Sequence, residues 1–227
     1  MSRDTTAGKA DLQFSSEGDV TRFVDTLGRF ESGEIDAEEW RLFRLLHGNY
    51  GQRQGPGPTM LRAKLPQGIV SAAQLETIAD VADRFSRGFL HVTTRQNVQF
   101  HFVPEGEVIP AMQLLGDAGI TTREACGNSV RNVTTSADAG VAKDEIFDVV
   151  PYAEAFTRHF LRHPLSASLP RKFKVAFAGG GKDHAFALVN DIGFFARKDE
   201  HGLRGFRVTV AGCLLYTSPS PRDRTRS

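Results

Sequence analysis

The sequence predicts an α+β fold built from two successive units. Residues 60–117 show the order strand, helix, strand, strand, helix, which is most of a ferredoxin-like split unit. Beyond residue 121 one helix is followed by several strands, and this order favours a second layer of strands and helix. The length of 227 residues, with 40% hydrophobic and 24% charged residues, suffices for one large or two small globular units.

Two short helices are predicted before the first unit. Residues 1–18 are polar with little periodicity, and we predict disorder at their start. Apolar residues recur at helical spacing over residues 19–46, and the stretch around Gly33 divides them into two helices. Residues 50–59, with three glycines and two prolines, predict an extended or looped connector.

The first unit opens with a predicted strand at residues 60–65 and a turn at 66–68. Ser71 and Gln74 form a capping-box pattern that predicts the start of a helix. The apolar face of this helix is predicted to consist of Leu75, Ile78, Ala82 and Phe85.

Two strands and a second helix complete the first unit. The strands are predicted at residues 89–94 and 97–103, and the second should bury Val98, Phe100 and Phe102 on one face. A helix is then expected at about residues 107–117. Its inward-facing residues should be Val108, Met112 and Leu115.

The second unit is predicted to contain a helix at about residues 152–161. Its strands are expected at residues 172–178, 185–189, 193–197 and 206–210. The GGGK run at residues 179–182 does not satisfy the phosphate-loop motif, because Asp183 follows where that motif needs Ser or Thr. We therefore predict a hairpin loop there, with glycine supplying positive φ.

Residues 213–227 break abruptly into a Ser-, Pro- and Arg-rich string. One choice of codons for the first six of them spells the transposon end used to prepare sequencing libraries, so we predict non-native read-through of an adapter. The tail carries three arginines and one aspartate, a net charge of +2, so the formal charge falls from +1 to −1 without it. No global basic bias then favours nucleic acid.

Cys126 is the single cysteine outside that tail. One thiol cannot build a disulfide framework, a zinc site or an iron–sulfur cluster, so no metal site is predicted within the chain. Cys126 itself is expected to be a small buried residue, with a nucleophilic role as the lesser alternative. His101 is expected to be hydrogen-bonded without a metal role.

Cationic residues concentrate in three segments, at residues 93–101, 126–133 and 171–174. Lys172 and Lys174 should project from one face of a strand, where two ammonium groups repel unless an anion lies beside them. Arg95, Arg123 and Arg131 would add forked donors suited to carboxylates or oxyanions. A solvated strand face is the alternative for any one segment, and the three together favour an anion site.

Five segments together resemble the nitrite and sulfite reductase hemoprotein family, in order and in spacing, over about residues 42–212. They read MLRAKLPQG, HVTTRQNVQFHFV, TREACGNSVRNVTTS, LPRKFKVAF and NDIGFFARK. The resemblance implies an N-terminal helical extension at residues 1–48 and a ferredoxin-like half-domain at 49–118. It implies the first copy of the siroheme and 4Fe–4S type of α/β domain at residues 119–212, before the non-native segment 213–227.

The resemblance also implies roles for particular residues. Arg95, Arg131, Lys172 and Lys174 would bind the oxyanion, with the two lysines as candidates for proton delivery. The residues expected to bind siroheme are Arg95, Gln96, Asn128, Arg131 and Asn132. The implied reaction is the six-electron reduction of nitrite to ammonia or of sulfite to sulfide, with ferredoxin or a flavoprotein reductase as electron donor.

The family carries the four cysteine ligands of its 4Fe–4S cluster in a second repeat. The chain is therefore expected to be an N-terminal fragment, inactive alone, and these residues leave nitrite and sulfite as equal alternatives. A complete, non-catalytic anion- or tetrapyrrole-binding module is the alternative function. Nucleic-acid binding ranks last, because Phe100, Phe102 and Phe173 are predicted to face away from the cations.

No membrane partner is expected. No apolar run approaches the roughly 20 residues that a membrane helix needs. The first residues also lack the apolar stretch of a secretory signal. A cytoplasmic location is therefore expected.

Overall fold

A computed structural model describes residues 12–52 and 57–210. The predicted disordered start, up to residue 11, lies outside the described residues. So do part of the predicted connector, at residues 53–56, and the predicted non-native tail at 213–227. The described part confirms the α+β class, with one four-stranded sheet in each of the two units.

Two helices precede the first unit, as predicted. They are α1, Glu17–Glu31, and α2, Ala37–Leu46. Asp36 begins α2 with a capping box, in which its side chain accepts from the backbone N–H groups of Glu38 and Glu39. Within residues 12–52 and 57–210, no helix is long and apolar enough to cross a bilayer.

The first unit contains a four-stranded antiparallel sheet in the order β1-β2-β4-β3. Its strands are β1, Asn49–Gly51; β2, Thr59–Ala63; β3, His91–Val92; and β4, Val98–Val103. The helices are α3, Ala72–Phe85, and α4, Val108–Asp117. Because β4 lies between β2 and β3, this is the predicted split unit. The short edge strand β1 replaces the start of the predicted connector.

The predicted alternation along β4 is wrong at its end. Thr59 pairs with Val103 and Leu61 with Phe100, so β4 has one residue more than β2 between these pairs. Phe102 takes up the extra length with φ 61°. This bulge buries Val103 and leaves Phe102 partly exposed, where Phe102 was expected inside.

Helix α3 starts at the predicted capping box, in which Ser71 accepts from the backbone N–H of Gln74. Three of the four residues predicted on its apolar face are buried as expected: Ile78, Ala82 and Phe85. The prediction is wrong for Leu75 and missed Val81. Leu75 is 58% exposed, whereas Val81 is buried in the core between Ile78 and Phe85. The predicted inward residues of α4 are buried as expected: Val108, Met112 and Leu115.

The second unit has a mixed sheet in the order β5-β6-β7-β8. The first two pairings are parallel and the third is antiparallel. The strands are β5, Thr134–Thr135; β6, Val175–Ala178; β7, Ile192–Lys198; and β8, Arg204–Val210. Helix α5, Val150–Phe160, packs on this sheet.

The hairpin predicted between residues 172–178 and 185–189 is wrong, because β6 pairs in parallel with the later strand β7. A hairpin joins antiparallel strands, and here the chain crosses over instead. The predicted strand at residues 185–189 is a 3₁₀ turn, Ala187–Val189, and the glycines of the GGGK run do not adopt positive φ. Gly193 permits the crossover, because a Cβ there would lie 2.4 Å from the carbonyl oxygen of Ala187.

His47, just after α2, is buried as a neutral ring. Its Nδ1 lies 3.0 Å from the carbonyl oxygen of Phe43, and its Nε2 lies 3.0 Å from Nη1 of Arg123. Arginine can only donate, so Nε2 accepts and Nδ1–H donates. Burial lowers the pKa of His47 to about 4.

The neutrality of His47 predicts loss of stability in acid. The unfolded chain binds this proton near pH 6.5 and the folded chain only near pH 4, so folding stability falls as pH drops through that interval. The full effect is about 3 kcal/mol. We expect His47→Leu to remove this part of the pH dependence of urea unfolding, measured at pH 7.5 and 4.5.

The exposed His201 provides the matched control, because His201→Leu should leave the pH dependence as in the unmodified chain. Equal pH dependence in the unmodified chain and His47→Leu would contradict the assignment. Comparison among the variants removes the contribution of the carboxyl groups, which they all share.

Candidate anion-binding site

A cavity of about 390 Å³ lies where the two units meet. Five of its lining side chains are arginine or lysine, and none is aspartate or glutamate. Such a lining attracts anions and disfavours cations. The lining residues are Arg62, His91, Val92, Thr93, Thr94, Arg95, Asn97, Gln99, Arg131, Asn132, Lys172 and Lys174.

The five cations of the cavity form no salt bridge within the described part of the chain. Each guanidinium is held instead by neutral oxygen atoms. Neutral acceptors fix the position of a cation without cancelling its charge. The positive charge of the cavity is therefore available to a ligand.

Arg95 reaches from the first unit into the second. Its Nη2 donates to the carbonyl oxygens of Asn132 and Val175, the latter at 2.8 Å. Its Nη1 donates to Oδ1 of Asn190 at 2.6 Å. Burial lowers the pKa of Arg95 to about 10, so the side chain stays charged at neutral pH. The guanidinium is thus a fixed cation at the junction of the units.

Arg131 and Arg62 are held by one turn of the second unit. The carbonyl oxygen of Ala125 accepts from Nη2 of Arg131 at 2.9 Å and from Nη1 of Arg62 at 3.4 Å. Arg131 also donates from Nη1 to the carbonyl oxygen of Gly127 at 3.1 Å. The pKa of Arg131 is lowered, mainly by burial. The turn thereby joins one cation from each unit.

Lys172 and Lys174 flank the cavity just before β6. Both are exposed, whereas Phe173 between them is partly buried against the core of the second unit. The strand predicted at residues 172–178 begins later than expected, at Val175. A single parallel bridge between Phe173 and Val130 holds this stretch extended, so the two lysines reach the same cavity.

Three buried polar atoms in the lining have no hydrogen-bond partner among the described residues. They are Nε of Arg62, Nε of Arg95 and Oδ1 of Asn132. Asn132 is otherwise fixed, since its Nδ2 donates to the carbonyl oxygens of Leu65 and Arg95. Unpartnered buried donors and acceptors are costly, and a polar ligand that bonds to them would offset that cost.

Three residues selected from the sequence for anion or cofactor binding lie outside the lining. Gln96 donates from Nε2 to the carbonyl oxygen of Thr135 at 2.8 Å, and Asn128 is exposed, with its Nδ2 3.3 Å from the carbonyl oxygen of Pro170. Arg123 lies against His47, away from the cavity. The roles of Gln96 and Asn128 in cofactor binding stay predictions.

Sequence reasoning missed Arg62, which lines the cavity from β2. A signal was present, because Arg62 and Lys64 alternate on one strand in the segment MLRAKLPQG. Lys64 is buried behind the cavity, with Nζ 3.4 Å from the carbonyl oxygen of Val130. Burial lowers its pKa to about 8, and the buried Glu124 is the main opposing influence.

Cys126 is buried and lies 3.9 Å, measured from Sγ, from the carbonyl oxygen of Gly48. Burial raises the pKa of its thiol. Within the described ranges, no group of three His, Cys, Asp or Glu residues is arranged to hold a metal ion. The burial of Cys126 agrees with the expectation of a small buried residue.

Two family models match the chain. The nitrite/sulfite reductase ferredoxin-like half domain matches residues 50–118, and the nitrite and sulphite reductase 4Fe-4S domain matches residues 126–223. The second match includes part of the tail predicted to be non-native.

Relatives with these names are similar to most of the chain. It is 36% identical over 166 residues to a sulfite reductase (ferredoxin) of Mycobacterium tuberculosis, covering 73% of this chain and 29% of the relative. It is 34% identical over 162 residues to a ferredoxin–nitrite reductase of Leptolyngbya laminosa, covering 69% and 31%. The chain spans about a third of the length of these relatives.

A solved structure, the NirA protein of Mycobacterium tuberculosis, has a similar fold. Its TM-score is 0.72 and its sequence identity to the chain is 29%. The similarity covers 87% of this chain and 40% of that one. The arrangement of the two units is therefore shared with a known protein.

The burial of Cys126 predicts an unreactive thiol. The thiolate is the nucleophile, and burial both raises the pKa and blocks access. In a Cys213→Ser background, we expect a disulfide reagent at pH 8 to modify the folded chain at least about tenfold more slowly than the urea-unfolded chain. The Cys126→Ala chain gives the blank, and equal rates in the folded and unfolded chain would contradict the assignment.

Proposed function

The chain belongs to the nitrite and sulfite reductase family, and we propose that it forms the anion-binding first portion of a siroheme-dependent reductase. One observation carries this proposal: five cations line one cavity without a balancing carboxylate. Nitrite and sulfite both carry oxygens that such a cavity would bind. The parent protein would reduce one of them by six electrons, to ammonia or to sulfide.

The cations of the cavity would act in two ways. All five would concentrate the anion and polarise its oxygens as these leave as water. Lys172 and Lys174 are exposed ammonium groups, which can release a proton. Arg62, Arg95 and Arg131 hold their protons and would fix the orientation of the anion.

The residues present fit siroheme, whose rim carries many carboxylates. The unpartnered Nε atoms of Arg62 and Arg95 are donors of the kind that carboxylates accept. Of the residues predicted for this role, Arg95, Arg131 and Asn132 line the cavity and would contact that rim. Siroheme would supply the iron at which electrons reach the anion.

The residues present do not fit a 4Fe–4S cluster. Such a cluster takes four cysteine thiolates, and the whole chain has two cysteines. We propose that the ligands lie elsewhere in a longer parent and that this chain alone is inactive. The uninterrupted genomic reading frame would test this, because paired cysteines should follow after a second ferredoxin-like repeat.

The proposed electron donor is ferredoxin or a flavoprotein reductase. Relatives named as ferredoxin enzymes support ferredoxin. A relative named as an NADPH sulfite reductase hemoprotein supports a reductase donor as well. We also propose a cytoplasmic location. The alternative function is a non-catalytic anion- or tetrapyrrole-binding module. One observation favours it: five cations line the cavity, although the chain lacks the four cysteines that a cluster needs.

Lys174→Met in the full-length parent tests the role of the cavity. We expect kcat/KM for the oxyanion to fall about 100-fold, as when one oxyanion donor is removed from an active site. Siroheme absorbance should persist, since three arginines still line the cavity. Steady-state kinetics and the visible spectrum measure the two quantities.

Lys198→Met is the matched control, because Lys198 is exposed at the end of β7 and outside the cavity. Its kinetics should equal those of the unmodified parent. Turnover by Lys174→Met within twofold of the unmodified parent would remove Lys174 from the site.

A further inference from the structure

Two consecutive residues, Asn190 and Asp191, contact two of the segments that carry the cations of the cavity. Neither lines the cavity. Both lie just before β7, where the crossover from β6 ends. Each contacts a segment that carries one of the cations: Asn190 contacts the side chain of Arg95, and Asp191 contacts the backbone of Lys174.

Asn190 is fixed at both ends of its side-chain amide. It is 4% exposed. Its Oδ1 accepts from Nη1 of Arg95 at 2.6 Å, and its Nδ2 donates to the carbonyl oxygen of Phe186 at 2.7 Å. Because the amide cannot turn without losing a bond, it presents one fixed acceptor to Arg95.

Asp191 fixes the other side. Its Oδ2 accepts from the backbone N–H of Lys174 at 2.7 Å, and the next residue, Ile192, donates its N–H to the carbonyl oxygen of Lys174 at 3.1 Å. The backbone of Lys174 is thus held from both sides by the start of β7. The ammonium group of Lys174 is left free of this bond and reaches the cavity.

We propose that Asn190 and Asp191 are positioning residues of the anion site, which fix Arg95 relative to Lys174 without placing a carboxylate in contact with either cationic group. The proposal rests on the proposed function of the cavity. On this proposal, two residues outside the lining set the distance between Arg95 of the first unit and Lys174 of the second.

The chemistry requires asparagine rather than aspartate at position 190. Aspartate has the same shape and would also accept from Arg95. It would form a buried ion pair, however, and so cancel the charge that the anion needs. Its second oxygen would face the carbonyl oxygen of Phe186, which now accepts from Asn190. A neutral acceptor avoids both effects.

The distance of the Asp191 carboxylate from Arg95 also matters for the charge of the cavity. This carboxylate lies close enough to raise the pKa of Arg95 against the effect of burial, yet it forms no salt bridge with that residue in the described part of the chain. Asparagine at 191 could still accept from the N–H of Lys174. Charge and geometry can therefore be changed separately at these two positions.

The test uses the siroheme-loaded full-length parent and four variants: Asn190→Asp, Asp191→Asn, the double exchange of both, and Asn190→Ala. Equilibrium binding of nitrite and of sulfite is titrated by the change in siroheme absorbance, together with siroheme content. We expect Asn190→Asp to weaken binding at least about tenfold with siroheme content unchanged, and Asp191→Asn to stay within threefold of the parent.

The double exchange distinguishes the effect of the carboxylate's position from the effect of net charge on anion binding. It has the net charge of the parent, and we expect binding to stay impaired because the carboxylate still contacts Arg95. Restored binding in the double exchange would overturn the proposal, since net charge alone would then explain the effect. Binding by Asn190→Asp within twofold of the parent would overturn it as well, and so would loss of siroheme from folded Asn190→Asp.

Asn49→Asp is the matched control. Asn49 is also buried, and its Oδ1 accepts from Nη1 of Arg44 at 3.1 Å, outside the cavity. Its anion binding should equal that of the parent. If Asn190→Asp does not fold, Asn190→Ala decides the question: binding at least threefold weaker supports the proposal, and unchanged binding overturns it.

Failure of this inference can be told apart from failure of the proposed function. A parent that holds no siroheme and reduces neither anion would refute the proposed function. An active parent whose anion binding is unaffected at position 190 would refute only the positioning roles.

Discussion

Mutual repulsion among the five cations of the cavity is the constraint to which the surrounding structure responds. Two unit charges 4 Å apart repel by about 4 kcal/mol at an effective dielectric constant of 20. Carboxylates would relieve this repulsion, but they would also remove the field that attracts an anion. The chain instead uses neutral oxygens, so that each guanidinium is held in place while its charge is retained. Such a site is under electrostatic strain until an anion enters.

Holding the cations with carbonyl groups requires unusual backbone at the junction of the two units. Glu124 adopts φ 55° and Gly127 φ 78°, so the intervening turn presents the carbonyl oxygens of Ala125 and Gly127 to the arginines. Glu124 is itself buried and accepts from the backbone N–H of Arg162 at 2.9 Å. Arg162 in turn pairs with Asp19 of α1. The buried carboxylates of Asp19 and Glu124 thus have partners outside the cavity, whereas the arginines that the turn holds form no salt bridge within the described residues and are left for a ligand.

Local patterns were enough to predict most elements of the fold. The capping box at Ser71 and the helical spacing in α4 were confirmed, because both depend on residues close in sequence. The parallel pairing of β6 with β7 depends on a crossover that no local pattern specifies, and the bulge at Phe102 depends on the register with β2. Four cations of the cavity were selected from the sequence as candidates. Arg62 was missed because its neighbours across the cavity become apparent only after folding.

The cations of the cavity are present in this chain without the thiolates that a 4Fe–4S cluster would need. The cavity needs side chains from two units and four segments, and all of them lie within residues 62–174. A 4Fe–4S cluster needs four thiolates, and two cysteines in 227 residues cannot supply them. The same fold also disfavours a thiolate at Cys126, since burial raises the pKa of that thiol even with Arg62, Arg131 and Lys172 nearby. A cavity lined by unpaired cations can therefore be built without the four thiolates of a cluster, so its charge can be altered without changing a cluster ligand.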